Sequence, residues 1–390
     1  MQNRYLIRLK ITGIVLILIF IIISSIYTAN GFYTIYTSVN CEIYRLGVGK
    51  FSPIPKNRDL GSKDWSLIAL DNDILFTDGA HNIFPFDLDN DGNNELIANS
   101  YRSDAVLIYK LKQQPLHSQN WSRFVIDSTV GGGNPFPKGS AKIIIKSIIK
   151  RIFGEVTGGA HYTAIADINN DKRNDLIVAG DLKKYDVVWY ETPIDLNDKS
   201  KWIKHVVNKD NAYRTYHLET GDIDGDNNID IVFTTKTDNS VGWLQNISFS
   251  DNWPLEWIDT TCTRCFNARV ADINQDTKNE IIASQDDALK GGKLFLYQFT
   301  DNPNKKDRWS KYCLANLPIG QGISVFEIRD MDLDGDLDIV AVNHQGYIYI
   351  MKNPYPNAVL NEWERNIVTS NKMYHGCNFR EIDIGDIDGD

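Results

Sequence analysis

The sequence predicts an all-β chain, a β-propeller of six or seven four-stranded blades preceded by one N-terminal transmembrane helix. Three observations carry this. Acidic nine-residue loops recur in one register along the chain. Strand-like apolar segments accompany each loop at similar offsets. The whole unit returns at intervals of 80, 55, 50, 58 and 56 residues. A repeat of about 50 residues with four short strands is how a propeller blade looks in sequence.

The acidic loop is clearest at Asp330, Asp332, Asp334, Asp336 and Asp338, which occupy positions 1, 3, 5, 7 and 9. Gly335 stands at position 6, and Ile339-Val340-Ala341-Val342 follows as a strand. Alternate residues of a tight loop converge on one point, and a hard cation such as Ca²⁺ takes six to eight oxygens there. An EF-hand would need a carboxylate at position 12 and a helix after it; here a β-branched run closes the loop. The same positions recur at Asp87, Asp89, Asp91, Asn93 and Glu95, and at Asp167, Asn169, Asp171, Arg173 and Asp175. They return at Asp222, Asp224, Asp226, Asn228 and Asp230, and at Asp272, Asn274, Asp276, Lys278 and Glu280. A sixth copy begins at Asp386, Asp388 and Asp390, where the sequence stops, so the chain reads as truncated. Position 6 calls for a left-handed residue: Gly92, Gly335 and Asn227 suit it, whereas Lys172 and Thr277 carry strain.

Before each loop lies one strand, such as Tyr162–Ala166, and after it a second, such as Leu176-Ile177-Val178. A third follows at Val106–Tyr109, Val187–Tyr190, Val241–Leu244, Leu294–Tyr297 and Tyr347–Ile350. A Trp then marks the fourth, at Trp121, Trp202, Trp253, Trp309 and Trp363. Trp65–Leu70 matches this fourth-strand pattern yet precedes the first loop. It reads as the strand that closes the ring by completing the last blade, which removes an exposed sheet edge.

Outside the repeats, residues 1–27 read as a signal-anchor or transmembrane segment. Arg4, Arg8 and Lys10 precede an apolar run over 11–27, which sends the rest of the chain to the extracytoplasmic side. Cleavage, which would release a secreted protein, is the alternative. Residues 28–61 form a polar stalk and 62–390 the repeats. The long first interval holds an insertion, 131–160. Within it Lys142, Lys146 and Lys150 oppose Ile145, Ile148, Ile149 and Ile152 on a basic amphipathic helix over 141–153. That helix is a candidate membrane-surface contact or a flank of the propeller. Net charge is −10 with 42% hydrophobic residues, which argues against a nucleic-acid partner and for bound cations. No phosphate-cradling loop, nucleophile elbow or zinc-protease helix is present. Cys262-Thr-Arg-Cys265 reads as a short disulfide or two plain thiols.

First strands of blades line the channel of a propeller. His81, His161 and His217, with Arg214, Arg264, Arg329 and Arg380, are therefore candidates for a site at its mouth, or for contacts between blades. Residues 62–390, through their Asp-x-[Asp/Asn]-x-Asp-x-x-x-[Asp/Glu] loops, resemble the FG-GAP/VCBS calcium-binding propellers of integrin α-subunit heads, bacterial surface proteins and some fungal lectins. The resemblance implies one Ca²⁺ per intact loop, in the turn between first and second strands. It also implies a binding or adhesion module for a protein or glycan on the propeller face, with a carbohydrate-active enzyme (a sugar lyase or dehydratase) as the alternative. The Gly-Ala-Pro element of that family is replaced by Ala98-Asn-Ser, Ala179-Gly-Asp, Thr234-Thr-Lys and Ala283-Ser-Gln. This points away from integrin-like partner recognition and toward the VCBS branch.

Overall fold

The computed structural model describes residues 80–368, apart from 101–103, 113–119, 129, 131–158, 181–186, 209–214, 236–238, 248, 250, 288, 301–307, 344–346 and 360–361. The chain divides into two units, Met1–Ile74 and Leu75–Asp390, and every described residue lies in the second. The segment 1–27, the stalk 28–61, the strand at 65–70 and the helix 141–153 with most of its insertion lie outside the described residues. So do Asp386, Asp388 and Asp390. Among the described residues no helix is long and apolar enough to cross a membrane.

Five antiparallel four-stranded sheets follow one another along the chain, an arrangement consistent with a propeller. Blade 1 holds β1 (Ala80–Phe86), β2 (Glu95–Ser100), β3 (Ala105–Leu111) and β4 (Trp121–Asp127). Blade 2 holds β5 (Ala160–Ala166), β6 (Asp175–Gly180), β7 (Val187–Glu191) and β8 (Ile203–Val206). Blade 3 holds β9 (Thr215–Gly221), β10 (Asp230–Thr235), β11 (Ser240–Leu244) and β12 (Leu255–Asp259). Blade 4 holds β13 (Cys265–Ala271), β14 (Glu280–Gln285), β15 (Lys293–Phe299) and β16 (Trp309–Asn316). Blade 5 holds β17 (Ile323–Arg329), β18 (Asp338–Asn343), β19 (Ile348–Lys352) and β20 (Glu364–Ile367). In each sheet the strands lie in chain order, and neighbouring first strands adjoin from β1 through β17.

The second strands read as unbroken apolar runs because both of their faces are covered. β6, β10, β14 and β18 are buried at every residue. Successive side chains of a strand point to opposite faces, so one strand feeds two interfaces. Ile177 and Ala179 pack toward blade 3, whereas Leu176 and Val178 pack toward blade 1. Apolar clusters fill the interfaces between blades 1 and 2, 2 and 3, 3 and 4, and 4 and 5. The marker tryptophans sit where the outer strand begins. Trp121 and Trp309 open their strands, while Trp202, Trp253 and Trp363 stand one or two residues ahead.

Polar contacts repeat at the interfaces. Tyr190 Oη and Lys204 Nζ of blade 2 both donate to Asp127 Oδ2 of blade 1, each at 2.7 Å. Tyr297 Oη and Lys311 Nζ of blade 4 repeat this on Asp259 of blade 3, each at 2.6 Å. Burial alone would raise the Asp259 carboxyl, but Lys311, Tyr297 and Thr261 outweigh it and hold it below the usual carboxylate range. Cys262 and Cys265 form a disulfide, and Cys313 is a half-buried free thiol.

One junction between blades 4 and 5 depends on a glycine. Gly292 N donates to Gln321 O, and a Cβ on Gly292 would lie 2.6 Å from both Gln321 O and Ile323 N. These are backbone atoms and cannot rotate away. Gly292→Ala is expected to cost about 1–3 kcal/mol, as overpacking does, read as a lower denaturant midpoint with unchanged slope.

Candidate functional site

The acidic loops are built the same way in every blade. The position 1 carboxylate accepts backbone N–H groups from across the turn. Asp87 takes Asp91 N at 3.0 Å and Gly92 N at 2.9 Å, and Asp272 takes Asp276 N at 3.0 Å and Thr277 N at 2.9 Å. Asp167, Asp222 and Asp330 repeat the bond from the position 6 N–H at 2.8–3.0 Å. The position 5 carboxylate accepts the position 7 N–H: Asn93 on Asp91, Arg173 on Asp171, Asn228 on Asp226 and Lys278 on Asp276, at 2.8–2.9 Å. Such bonds force a left-handed residue at position 6, where Lys172 and Thr277 both have φ of +70°. Position 4 is left-handed as well, at Asn90, Asn170, Gly225, Gln275 and Leu333. The sequence reading missed that: Asn90, Asn170 and Gly225 are types that tolerate it, but Gln275 and Leu333 give no sign of it.

Position 9 is the anchor. Glu95, Asp175, Asp230 and Glu280 are wholly buried and Asp338 nearly so. Each accepts the N–H of position 2, as in Ile223 N to Asp230 Oδ2 at 3.3 Å. The other oxygen of Asp175, Asp230 and Asp338 accepts an N–H just past the third strand, from Thr192, Asn246 and Asn353 at 2.7–2.9 Å. Burial, with neighbouring carboxylates adding to it, pushes Asp175, Asp230 and Glu280 up to about 7 against these hydrogen bonds. Asp336 rises to about 6 by burial and the adjacent Asp334.

Three sets of carboxylates converge with ligand oxygens within 4.8 Å of one another: Asp87, Asp89 and Glu95; Asp222, Asp224 and Asp230; and Asp330, Asp332 and Asp338. Buried Oδ1 atoms of Asp89, Asp330 and Asp336 have no hydrogen-bond donor. All-oxygen, carboxylate-rich donor sets fit a hard divalent cation such as Ca²⁺, and those of blades 1 and 5 also hold unsatisfied oxygens. In the loops with Asn169 and Asn274 at position 3, no such set of three carboxylates forms among the described residues.

A second site lies where the first strands meet. Each first strand carries a register shift near its start: Ala80/Asn82, Ala160/Tyr162, Thr215/His217, Cys265/Ala268 and Ile323/Val325. A bulge turns consecutive side chains toward one side. His161 with Tyr162, Tyr216 with His217, and Phe266 with Asn267 therefore all line one cavity of about 450 Å³. Their rings form a chain across blades 2 to 4. Tyr162 lies 4.0 Å from His217, and Tyr216 lies 4.5 Å from His161 and 4.4 Å from Phe266, centroid to centroid. Three residues nearer the acidic loops, Glu219, Arg269 and Glu327 face the same space. Arg269 donates from Nε to Glu327 Oε2 at 3.0 Å, pairs through Nη2 with Glu327 Oε1, and lies 3.4 Å from Glu219 Oε2.

His217 is held neutral. Its Nδ1 accepts Ala268 N at 3.4 Å. With the Asn267 amide turned so that its nitrogen donates to Phe326 O, the Asn267 oxygen accepts His217 Nε2 at 2.9 Å and Arg269 Nη1 at 3.2 Å. Burial first, then Arg269 and His161, push the imidazole well below its ordinary value. Below about pH 6.5 the unfolded chain binds a proton here that the fold refuses, so stability falls as pH drops from 6.5 toward the folded value. His217→Gln is expected to flatten that limb of a stability–pH curve measured by urea unfolding; an unchanged limb would assign it to other groups.

Of the arginines named from sequence, Arg264 bonds through Nε to Asp286 O at 2.7 Å, outside the cavity. Arg329 ends β17, exposed, and does not line it. Arg214, Arg380 and the side chain of His81 lie outside the described residues. The cavity's cation is Arg269 among the described lining residues, and the sequence reading missed it.

No protein-family model matches the chain, and no curated protein matches its sequence. Solved structures do. A lectin from Agrocybe aegerita, described as recognising non-reducing terminal N-acetylglucosamine, is 12% identical over 76% of this chain and 68% of its own, with a TM-score of 0.47. YCF48 from Cyanidioschyzon merolae is 14% identical over 74% of this chain and 73% of its own, with a TM-score of 0.39. The biofilm matrix protein Bap1 of V. cholerae is 14% identical over 63% of this chain, which spans 30% of that protein, with a TM-score of 0.35.

Proposed function

We propose that this chain is a cation-stabilised β-propeller whose task is to bind a glycan at the mouth of its central channel. The observation that carries the reading is the bulged first strands, which set ring side chains beside an Arg269–carboxylate cluster in one cavity of about 450 Å³. Ring edges and faces suit the apolar patches of a sugar, and convergent charged groups suit its hydroxyls. Ca²⁺ is the ion the loop oxygens favour, and its role is structural: it cancels repulsion among carboxylates that the turn forces together. The apolar run over 11–27 supports a membrane-anchored protein with its repeats on the extracytoplasmic side. Catalysis through His217 is disfavoured, because both of its ring nitrogens are engaged within the protein.

The test is a glycan array followed by calorimetry on the full chain. A hit is expected to lose roughly tenfold in affinity or more in Tyr216→Ala, a loss of about 1.4 kcal/mol. Binding that is indifferent to both Tyr216→Ala and Glu327→Gln would place the ligand elsewhere.

A further inference from the structure

In four of the five described blades the third strand sends one side chain back toward the acidic loop of its own sheet. Register fixes which one. Position 10 of the loops, Leu96, Leu176, Ile231, Ile281 and Ile339, pairs with Tyr109, Tyr190, Leu244, Tyr297 and Met351. The next residues along the third strands are Lys110, Glu191, Gln245, Gln298 and Lys352.

These five do different things. Lys110 Nζ bonds Asp89 Oδ2 and lies 2.8 Å from Asp91 Oδ2 and 3.4 Å from Glu95 Oε1. Lys352 Nζ bonds Asp332 Oδ2 and lies 2.8 Å from Asp334 Oδ2. Gln245 Nε2 donates to Asp224 Oδ2. Gln298 reaches Asp276 and Glu280 only at 3.5 and 3.4 Å. Glu191 turns away to His205 Nε2 at 2.8 Å, and in that blade Arg173, from inside the loop, meets Asp171. Two of the three converged carboxylate sets therefore already hold an ammonium, and the third holds a neutral amide.

We propose that the third-strand side chain decides which converged loop takes a divalent cation. This rests on the cation reading of the loops given above. Lys110 and Lys352 place their own ammonium among the carboxylates of blades 1 and 5 and supply positive charge without an ion. An ammonium carries three donors and no acceptor, so it competes with a metal ion and cannot ligate one. Gln245 brings a neutral amide, and no ammonium, to Asp222, Asp224 and Asp230, donating through Nε2 to Asp224 Oδ2. Its amide can turn to offer Oε1 as a further ligand, which is the donor a hard cation takes. The Lys110 side chain is 23% exposed and Lys352 50%, so blade 5 is the easier of the two for an ion to enter.

The experiment counts Ca²⁺ on the full chain by calorimetry and by metal analysis after gel filtration, with CaCl₂ as the only ligand. Thermal melts in chelator confirm folding of each variant. Gln245→Lys is expected to lose about one ion relative to the wild type. Lys110→Gln and Lys352→Gln are each expected to gain about one. Lys110→Met, which removes the ammonium without adding an oxygen, is expected to gain an ion of weaker affinity than Lys110→Gln. A wild type that binds ions whose number none of these changes alters would overturn the selection while leaving the loops as cation sites. No ion in any of the proteins would overturn both.

Discussion

Arg269→Leu is expected to be among the most damaging single substitutions in the described part of the chain. Arg269 is the shared partner of Glu219 and Glu327, and it also donates to Ala268 O at 3.0 Å and toward Asn267. Its side chain is 14% exposed. Removing one partner of a buried ion pair leaves uncompensated charge and costs about 3–5 kcal/mol. Here two carboxylates are stranded, but each keeps some access to water, so the lower end of that range applies. Read as thermal unfolding, about 3 kcal/mol is a drop of roughly 4–5 °C in a protein of this size. Burial already raises the Glu219 carboxyl, and without Arg269 nothing named beside it lowers that value except the Thr220 N–H. Arg269→Leu combined with Glu219→Gln and Glu327→Gln is therefore expected to recover most of the loss. A single variant as stable as the wild type would show that water, rather than Arg269, solvates the two glutamates.

Trp189→Ala is expected to cost about as much, by a different route. Trp189 is wholly buried in the interface between blades 2 and 3, and its ring stacks on His205 at 4.1 Å with 11° between planes. Its neighbours there come from several strands of two blades, so they cannot collapse together into the space. Truncating a buried tryptophan to alanine costs about 3–5 kcal/mol. Equilibrium unfolding in urea reads this as a lower midpoint, and Trp189→Phe is expected to restore part of it. A loss under about 1 kcal/mol would mean that the interface repacks freely.

The strands and loops were legible because their signals are local. An acidic residue at every second position followed by an apolar run needs no partner to be recognised, and the Val187–Tyr190 strand announced itself in the same way. The cavity was only half legible. His161 and His217, six and five residues before their loops, were named from sequence and both line it. Arg269 was overlooked in favour of Arg264 and Arg329, because alternation along an ideal strand gives no sign of the bulges that reset which side chains face inward. The lysines in the loops were hidden for a related reason. Lys110 lies 21 residues from Asp89, and Lys352 lies 20 from Asp332. Only the cross-strand register brings them together.

The most direct test of the account is a thermal melt of the full chain in CaCl₂ against the same buffer with chelator. An ion that binds the folded state at about a hundred times its Kd adds about 2.7 kcal/mol. The melting temperature is therefore expected to be higher in calcium by roughly 3–4 °C per bound ion, with a clear reduction of that difference in Asp224→Ala. Superimposed melts in calcium and chelator would contradict it, leaving the acidic loops as turns held by their own hydrogen bonds.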